Sequence, residues 1–226
     1  NHDHDHDHDA NLPAWSASRT GSVDSNDIES PGGYTPGGYH IVRIGDTYKD
    51  GRYTVLSKLG WGHFSTVWLV RDGARNTHAA LKIQKSAKLY SDVARDEIKL
   101  LEEIRDGDPH DVANCARLLD TFDHVGPHGR HVCLVFEVLG SNLLSVIKAY
   151  EYQGIPMAIV RTLAREMLVA FDYLHRDRRI IHTDFKPENV ILRAPLDPQR
   201  DARRALGMGD GGEGGSSSSC GAKKLD

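Results

Sequence analysis

The residues of this sequence best suited to chemistry lie in one short stretch, Ile180-Ile181-His182-Thr183-Asp184-Phe185-Lys186-Pro187-Glu188-Asn189-Val190-Ile191-Leu192. Asp184, Lys186 and Asn189 stand between two apolar runs, so a surrounding core would fix a carboxylate, an ammonium and an amide oxygen close together. In phosphoryl transfer a carboxylate orients the attacking hydroxyl, a cation offsets phosphate charge and an Asn holds a divalent ion. A purely structural loop, with Asp and Asn capping its turns, has the same composition.

Two further features could serve the same chemistry. Leu59-Gly60-Trp61-Gly62-His63-Phe64-Ser65-Thr66-Val67 reads G-x-G-x-x-S-x-V. Glycines at those positions let a backbone turn tightly and bring N–H groups against phosphate oxygens. An ordinary hairpin bend would look alike. The segment that follows reads as a second strand rather than a helix, and no Gly-Lys-Ser/Thr is present, which disfavours dinucleotide-binding and Walker loops. In His78-Ala79-Ala80-Leu81-Lys82-Ile83, strand alternation puts Ala80 and Lys82 on one face. An edge-strand Lys with its head in water is common. Glu97, however, falls within the apolar stripe of the next helix, where an unpaired charge is costly. Pairing it with Lys82 satisfies both groups and leaves the ammonium able to touch a phosphate.

The elements that must hold these residues are legible between Ile41 and Arg193. Tyr53 to Leu59, Thr66 to Val70, His78 to Ile83, Ala116 to Phe122 and His131 to Phe136 read as strands, the first two joined by a turn at Gly60-Trp61-Gly62. Ser91 to Arg105 carries Val93, Glu97, Leu100, Leu101 and Ile104 at helical spacing and stops at Asp106-Gly107-Asp108-Pro109. Pro156 to His175 places Val160, Leu163, Met167, Ala170 and Leu174 on one helical face. Residues 1–40 carry four His-Asp pairs and a Pro-Gly-Gly-Tyr repeated at 31–34 and 36–39, without helical or strand period. Loose zinc or nickel capture by the four imidazoles is conceivable, but such repeats are more often plain disorder. From Gly207 to Ser219, six glycines and four serines give linker composition.

Composition narrows the function classes. The 226 residues are 39% hydrophobic and 27% charged, enough for one core, and no apolar run approaches the length of a membrane span. Twenty-eight Lys and Arg against 32 Asp and Glu leave a net charge of −4, with no global basic field to draw the chain onto nucleic acid or anionic lipid. Cys115, Cys133 and Cys220 are odd in number and widely spaced, so neither a disulfide framework nor a zinc site follows, and idle thiols in a reducing compartment are expected. The chain opens on Asn1 rather than Met, as a fragment or processed form would.

Taken in order, the glycine loop, strand Lys, helix Glu and H-x-D-x-K-x-x-N resemble the eukaryotic protein kinases over Tyr53 to Leu192. Gly37-Gly-Tyr-His-Ile-Val-Arg-Ile-Gly-Asp46, Lys58-Leu-Gly-Trp-Gly-His-Phe-Ser-Thr-Val-Trp68, Asp96-Glu-Ile-Lys-Leu-Leu101, Val135-Phe-Glu-Val-Leu-Gly140 and His182-Thr-Asp resemble the SR-protein kinases, which phosphorylate serines in Arg-Ser-rich splicing factors. The resemblance implies an α+β fold: a kinase small lobe of five antiparallel strands and one helix over 41–140, the start of the large lobe through the catalytic loop over 141–193, and a spacer-like tail over 194–226. It implies ATP and magnesium as cofactors, with Gly60, Trp61, Gly62, His63, Phe64 and Ser65 over the phosphates. Lys82, paired with Glu97, would touch the α- and β-phosphates. Leu59, Val67, Ala80 and Ile191 would hold adenine, with Phe136 behind the pocket and Glu137 to Leu139 offering hinge hydrogen bonds. Asp184 would be the catalytic base, Lys186 would steady the γ-phosphate and Asn189 would bind magnesium. Further implications are a monomer acting on splicing factors in cytoplasm and nucleus, with no direct nucleic-acid or membrane partner.

The sequence departs from the general kinase pattern in three places. Ser65 replaces the third loop glycine, as is usual in the SR-protein kinases, and Thr183 replaces the Arg that in many kinases grips an activation-loop phosphate. A neutral Thr cannot hold that dianion, so activity should not depend on such phosphorylation. No Asp-Phe-Gly follows Leu192. The expectation is therefore a fragment of a functional kinase with little transfer activity by itself, the alternative being an inactive nucleotide-binding or interaction module.

Overall fold

The computed structural model of the chain describes residues 29–194 and 196. The five expected strands form: β2 (Tyr53–Trp61), β3 (Ser65–Asp72), β4 (Thr77–Gln84), β5 (Leu118–Gly126) and β6 (Gly129–Phe136). A two-residue strand, β1 (Thr47–Tyr48), adds a sixth at the edge and is too short to carry a period in sequence. All pairings are antiparallel, in the order β1-β2-β3-β4-β6-β5.

The pleat sends alternate side chains of β4 to opposite faces. Ala79, Leu81 and Ile83 join Tyr53, Val55, Trp68, Val70, Cys133 and Val135 in the main core. The other face carries Leu118, Val132 and Leu134 against Ala94 of helix α1 (Lys88–Gly107). The packed residues of α1 are Ala94, Ile98, Leu101 and Ile104, so Leu101 and Ile104 of the expected stripe pack and the stripe as a whole is rotated toward Ala94 and Ile98. Val93 and Leu100 are 60% and 46% exposed. Ala94, 1% exposed, takes a core position against the sheet that larger apolar neighbours such as Val93 do not, a packing choice that hydrophobicity alone does not reveal.

The described residues fall into two compact units, one running to Val138 and including Met167–Ile181, the other comprising Leu139–Glu166 and the residues from His182 onward. The segment Met167–Ile181, assigned from sequence to the second region, groups instead with the first, because Tyr173 and Leu174 pack with Ala113, Ile104, Cys115 and Ile180. The Tyr173 hydroxyl also donates to the Ile104 carbonyl at 2.7 Å. Residues 29–40 correct the expectation of a structureless head through 40, since Tyr39 and His40 are buried. The remaining head, 1–28, and nearly all of the tail lie outside the described residues.

In the second unit, helix α2 (Leu143–Ala149) follows Asn142, whose side chain accepts the Ser145 N–H. Seven residues are too few for a helical period to stand out. Helix α3 (Met157–Asp172) ends three residues before the expected His175, where the backbone widens into a π turn over Tyr173–Asp177. No described helix is long and apolar enough to cross a membrane.

In the first unit three imidazoles meet: His40 lies 4.6 Å from His124 and 4.8 Å from His131 between ring centroids, with Tyr48 beside His40 and His124. Burial, and then the charges of His131 and His124, push His40 down to about 4, with Asp46 opposing in part. Burial likewise lowers His124 and His131. Groups held neutral in this way contribute stability in full above the ordinary His value of 6.5 and lose it as pH falls through the lowered folded values. The unfolding free energy from urea titration is therefore expected to decline steadily from pH 6.5 toward 4. A flat profile over that window would contradict this account.

Candidate active site

The nucleotide half of the expected site lies in the first unit. Gly60 and Trp61 pair with Val67 and Thr66 inside the β2–β3 ladder, so the turn is Gly62-His63-Phe64, two residues beyond the expected bend. Gly62 and Ser65 close it with reciprocal N–H to carbonyl bonds of 2.8 and 3.3 Å. A Cβ at Gly60 or Gly62 would meet nothing within 4 Å, and neither glycine has a positive φ. Neither packing nor backbone conformation asks for glycine there. What glycine provides is clear space over the backbone, which suits a polyphosphate. Phe64, 56% exposed, leans on Tyr90 of α1 at 5.6 Å, and its carbonyl accepts the Lys85 N–H at 2.9 Å.

Register places Gly60, Val67 and Lys82 in one row, with Leu134 next across the sheet. Lys82 Nζ lies 2.8 Å from Glu97 Oε1, and Gln84 Nε2 donates to Glu97 Oε2 at 3.4 Å. The expected pair forms. It is half-buried rather than buried, with side chains 24% and 35% exposed, because Glu97 sits beside the packed stripe of α1 and not within it. Ala80 pairs with Phe136 two residues along, and Phe136 packs with the cluster under α1. The Glu137 N–H already donates to the Arg117 carbonyl at 3.2 Å, so of its backbone groups the carbonyl is the one it can offer a ligand.

The second unit holds the loop 182–189. Asn189 Nδ2 donates to the Asp184 carbonyl at 2.9 Å and to Asp184 Oδ2 at 3.0 Å, and Lys186 Nζ lies 2.9 Å from the same Oδ2. A 3-10 turn over Pro187–Asn189 makes this closure possible, its Pro fitting the first position, and the Asn189 N–H donates to the Lys186 carbonyl at 2.9 Å. Thr183 has φ +61, a left-handed conformation that a β-branched residue rarely adopts. His182 Nδ1 is buried with no hydrogen-bond partner among the described residues. The hydrogen bond from Lys186, joined by that from Asn189, holds the Asp184 carboxyl below the usual carboxylate range, while Asp184 raises Lys186. The loop is anchored by a bridge between Asn142 and Ile191 and by the Leu143 N–H to Val190 carbonyl bond at 2.8 Å. Ile191 is 47% exposed and Leu139 half-buried in this unit.

Among the described residues no three His, Cys, Asp or Glu side chains gather as a metal site. Asn189, expected from the sequence to hold a divalent ion, could share it with phosphate oxygens. With its nitrogen engaged by Asp184, Asn189 has its amide oxygen left for a cation.

Residues 53–199 match the protein kinase domain family. The chain belongs to that family. It is 50% identical over 176 residues to the serine/threonine-protein kinase SKY1 of Saccharomyces cerevisiae, covering 76% of this chain and 24% of that protein. It is also 50% identical over 182 residues to the serine/threonine-protein kinase SRPK of Physarum polycephalum, covering 79% and 42%. Human SRSF protein kinase 3 is 50% identical over 171 residues, covering 75% and 30%. These relatives bear out the resemblance to the SR-protein kinases. The chain spans roughly a quarter to two-fifths of their lengths. A crystal structure of a kinase domain superposes with a TM-score of 0.63 at 29% identity, over 70% of this chain and 44% of the other. A protein kinase domain implies ATP and a divalent metal.

Sequence reasoning missed Gln84 as second partner of Glu97, Tyr90 as support of Phe64, and Tyr39, whose hydroxyl donates to the Gly62 carbonyl at 2.7 Å. The repeated Pro-Gly-Gly-Tyr was the available signal for Tyr39. A half-exposed ion pair contributes little to stability, so Lys82→Met should change the unfolding free energy by less than about 1 kcal/mol in urea titration. A loss several times larger would assign the pair a structural role.

Proposed function

We propose that the protein is an ATP-dependent serine/threonine kinase that transfers the γ-phosphate to serines in Arg-Ser-rich splicing factors and so regulates mRNA splicing. The observation that carries this reading is the hydrogen-bonded closure of Asp184, Lys186 and Asn189 in one loop. The Lys82–Glu97 pair beside the glycine turn supports it from the other unit.

The chain's residues divide the work by charge. Asp184, kept ionised by Lys186 and Asn189, orients the serine hydroxyl and takes its proton as the serine oxygen bonds to the γ-phosphorus. The bond from that phosphorus to the β–γ bridging oxygen breaks, and ADP leaves with its electrons. Lys186 offsets charge on the transferred group, and Lys82, oriented by Glu97, does so on the α- and β-phosphates. Gly60 and Gly62 leave the backbone open to those phosphates. A magnesium ion on the Asn189 oxygen would neutralise phosphate charge as it develops. In the first unit, Leu59, Val67 and Ala80 supply apolar surface for adenine. The relative named SRSF protein kinase 3 supports the substrate class, and a location in cytoplasm and nucleus is proposed on the family resemblance alone.

The 226-residue chain should bind Mg-ATP by calorimetric titration, and Lys82→Met should abolish that binding. In the full-length gene product, Asp184→Asn should lower kcat on an Arg-Ser peptide by about 10²–10⁴ with little change in the KM for ATP. Transfer that survives Asp184→Asn would overturn the assignment, and binding without transfer in the full-length product would mark a nucleotide-binding module instead.

A further inference from the structure

The repeated Pro-Gly-Gly-Tyr folds back on itself. The Tyr39 N–H donates to the Gly33 carbonyl at 2.8 Å, Gly38 to Thr35 at 2.7 Å, and Gly33 to Ser30 at 2.8 Å. Close approach demands the glycines: a Cβ on Gly38 would stand 2.1 Å from the Gly33 carbonyl oxygen, and one on Gly33 would stand 2.8 Å from the Tyr39 ring. The two tyrosine rings lie 5.6 Å apart.

This clasp is fastened to the first unit at both ends. Gly37 donates to the His128 carbonyl at 3.1 Å, while Ser86 and Ala87 donate to the carbonyls of Gly38 and Gly37 at 3.1 and 2.9 Å. Glu29 binds Lys58 of β2 and accepts the Tyr34 hydroxyl. Between these fastenings Tyr39 is 4% exposed, with the Lys85 ammonium 4.4 Å from its ring centroid. Its hydroxyl reaches the Gly62 carbonyl, which also accepts the Ser65 N–H. Burial, with Glu29 and Tyr90 acting in the same direction, pushes the phenol up, so it stays a donor at neutral pH.

We infer that the clasp, acting through the Tyr39 hydroxyl, is the positioning element that holds the glycine-rich turn in the shape that receives nucleotide phosphates. This rests on reading that turn as the phosphate cradle. The turn Gly62-His63-Phe64 has an open glycine and an exposed Phe64 held by a single ring contact with α1, so a buried donor at its first residue removes freedom that binding would otherwise have to remove. Tyr39 is a positioning residue and touches no substrate.

Two measurements on the 226-residue chain test this: hydrogen exchange without nucleotide, and titration with Mg-ATP. Tyr39→Phe keeps the ring over Lys85 and removes only the donor. It should speed exchange at Gly62 and Ser65, leave β4 and β6 unchanged, and weaken Mg-ATP binding roughly three- to tenfold, as one lost hydrogen bond does. Gly38→Ala, which breaks the clasp at its crossing, should give the same local signature. If wild type binds Mg-ATP and Tyr39→Phe changes neither exchange nor affinity, the inference falls while the nucleotide reading stands. Acceleration spread through β4 and β6 would show a general stabilising role and also overturn it. A wild-type chain that does not bind Mg-ATP would sink the nucleotide reading and this inference with it.

Discussion

The pleat of β4 is the constraint on which the part of the candidate site in the first unit depends. Leu81, Ile83 and Ala79 are almost wholly buried in the main core, and that commitment turns Ala80 and Lys82 toward α1. A slip of one residue would put an ammonium among Tyr53, Val55 and Val135 and expose three core side chains. The register with β3 and β6 is therefore strongly specified, and it aligns Lys82 with Val67 and Gly60.

The ion pair that results is not a pillar of the fold. Both partners keep a quarter to a third of their side-chain surface in water, where screening and side-chain entropy leave such pairs worth little. Its value lies in direction: Glu97, steadied by Gln84, fixes where the Lys82 charge points, and the exposed part of that charge remains available to an anion. The loop 182–189 follows a similar logic. Lys186 and Asn189 converge on one oxygen of Asp184, and the left-handed backbone at Thr183 is tolerated beside them.

Much of this was legible in the chain because it is local. Alternation over 53–84 and 129–136 marks strands wherever the other side of the sheet is apolar, and the close spacing of Asp184, Lys186 and Asn189 lets one loop bring them together. The readings that needed correction depended on partners distant in sequence. The stripe of α1 turns on Ala94 packing with Val132 and Leu134, and the C-terminal end of α3 groups with Ala113 and Ile104 through Tyr173 and Leu174. Low-complexity composition at 31–39 suggested disorder, but its glycines are there for a crossing of backbones seen only once folded.

Residue order alone carried the motifs by which the chain resembles the protein kinases, and it determined the antiparallel sheet and the pairing of Lys82 with Glu97, the last two following from periodicity and from charges that require a partner. Tertiary structure decided how deeply that pair is buried, where the glycine turn bends, and that Tyr39 reaches its tip from 23 residues away. These depend on packing distances between segments remote in the chain, which no local pattern of residue types encodes.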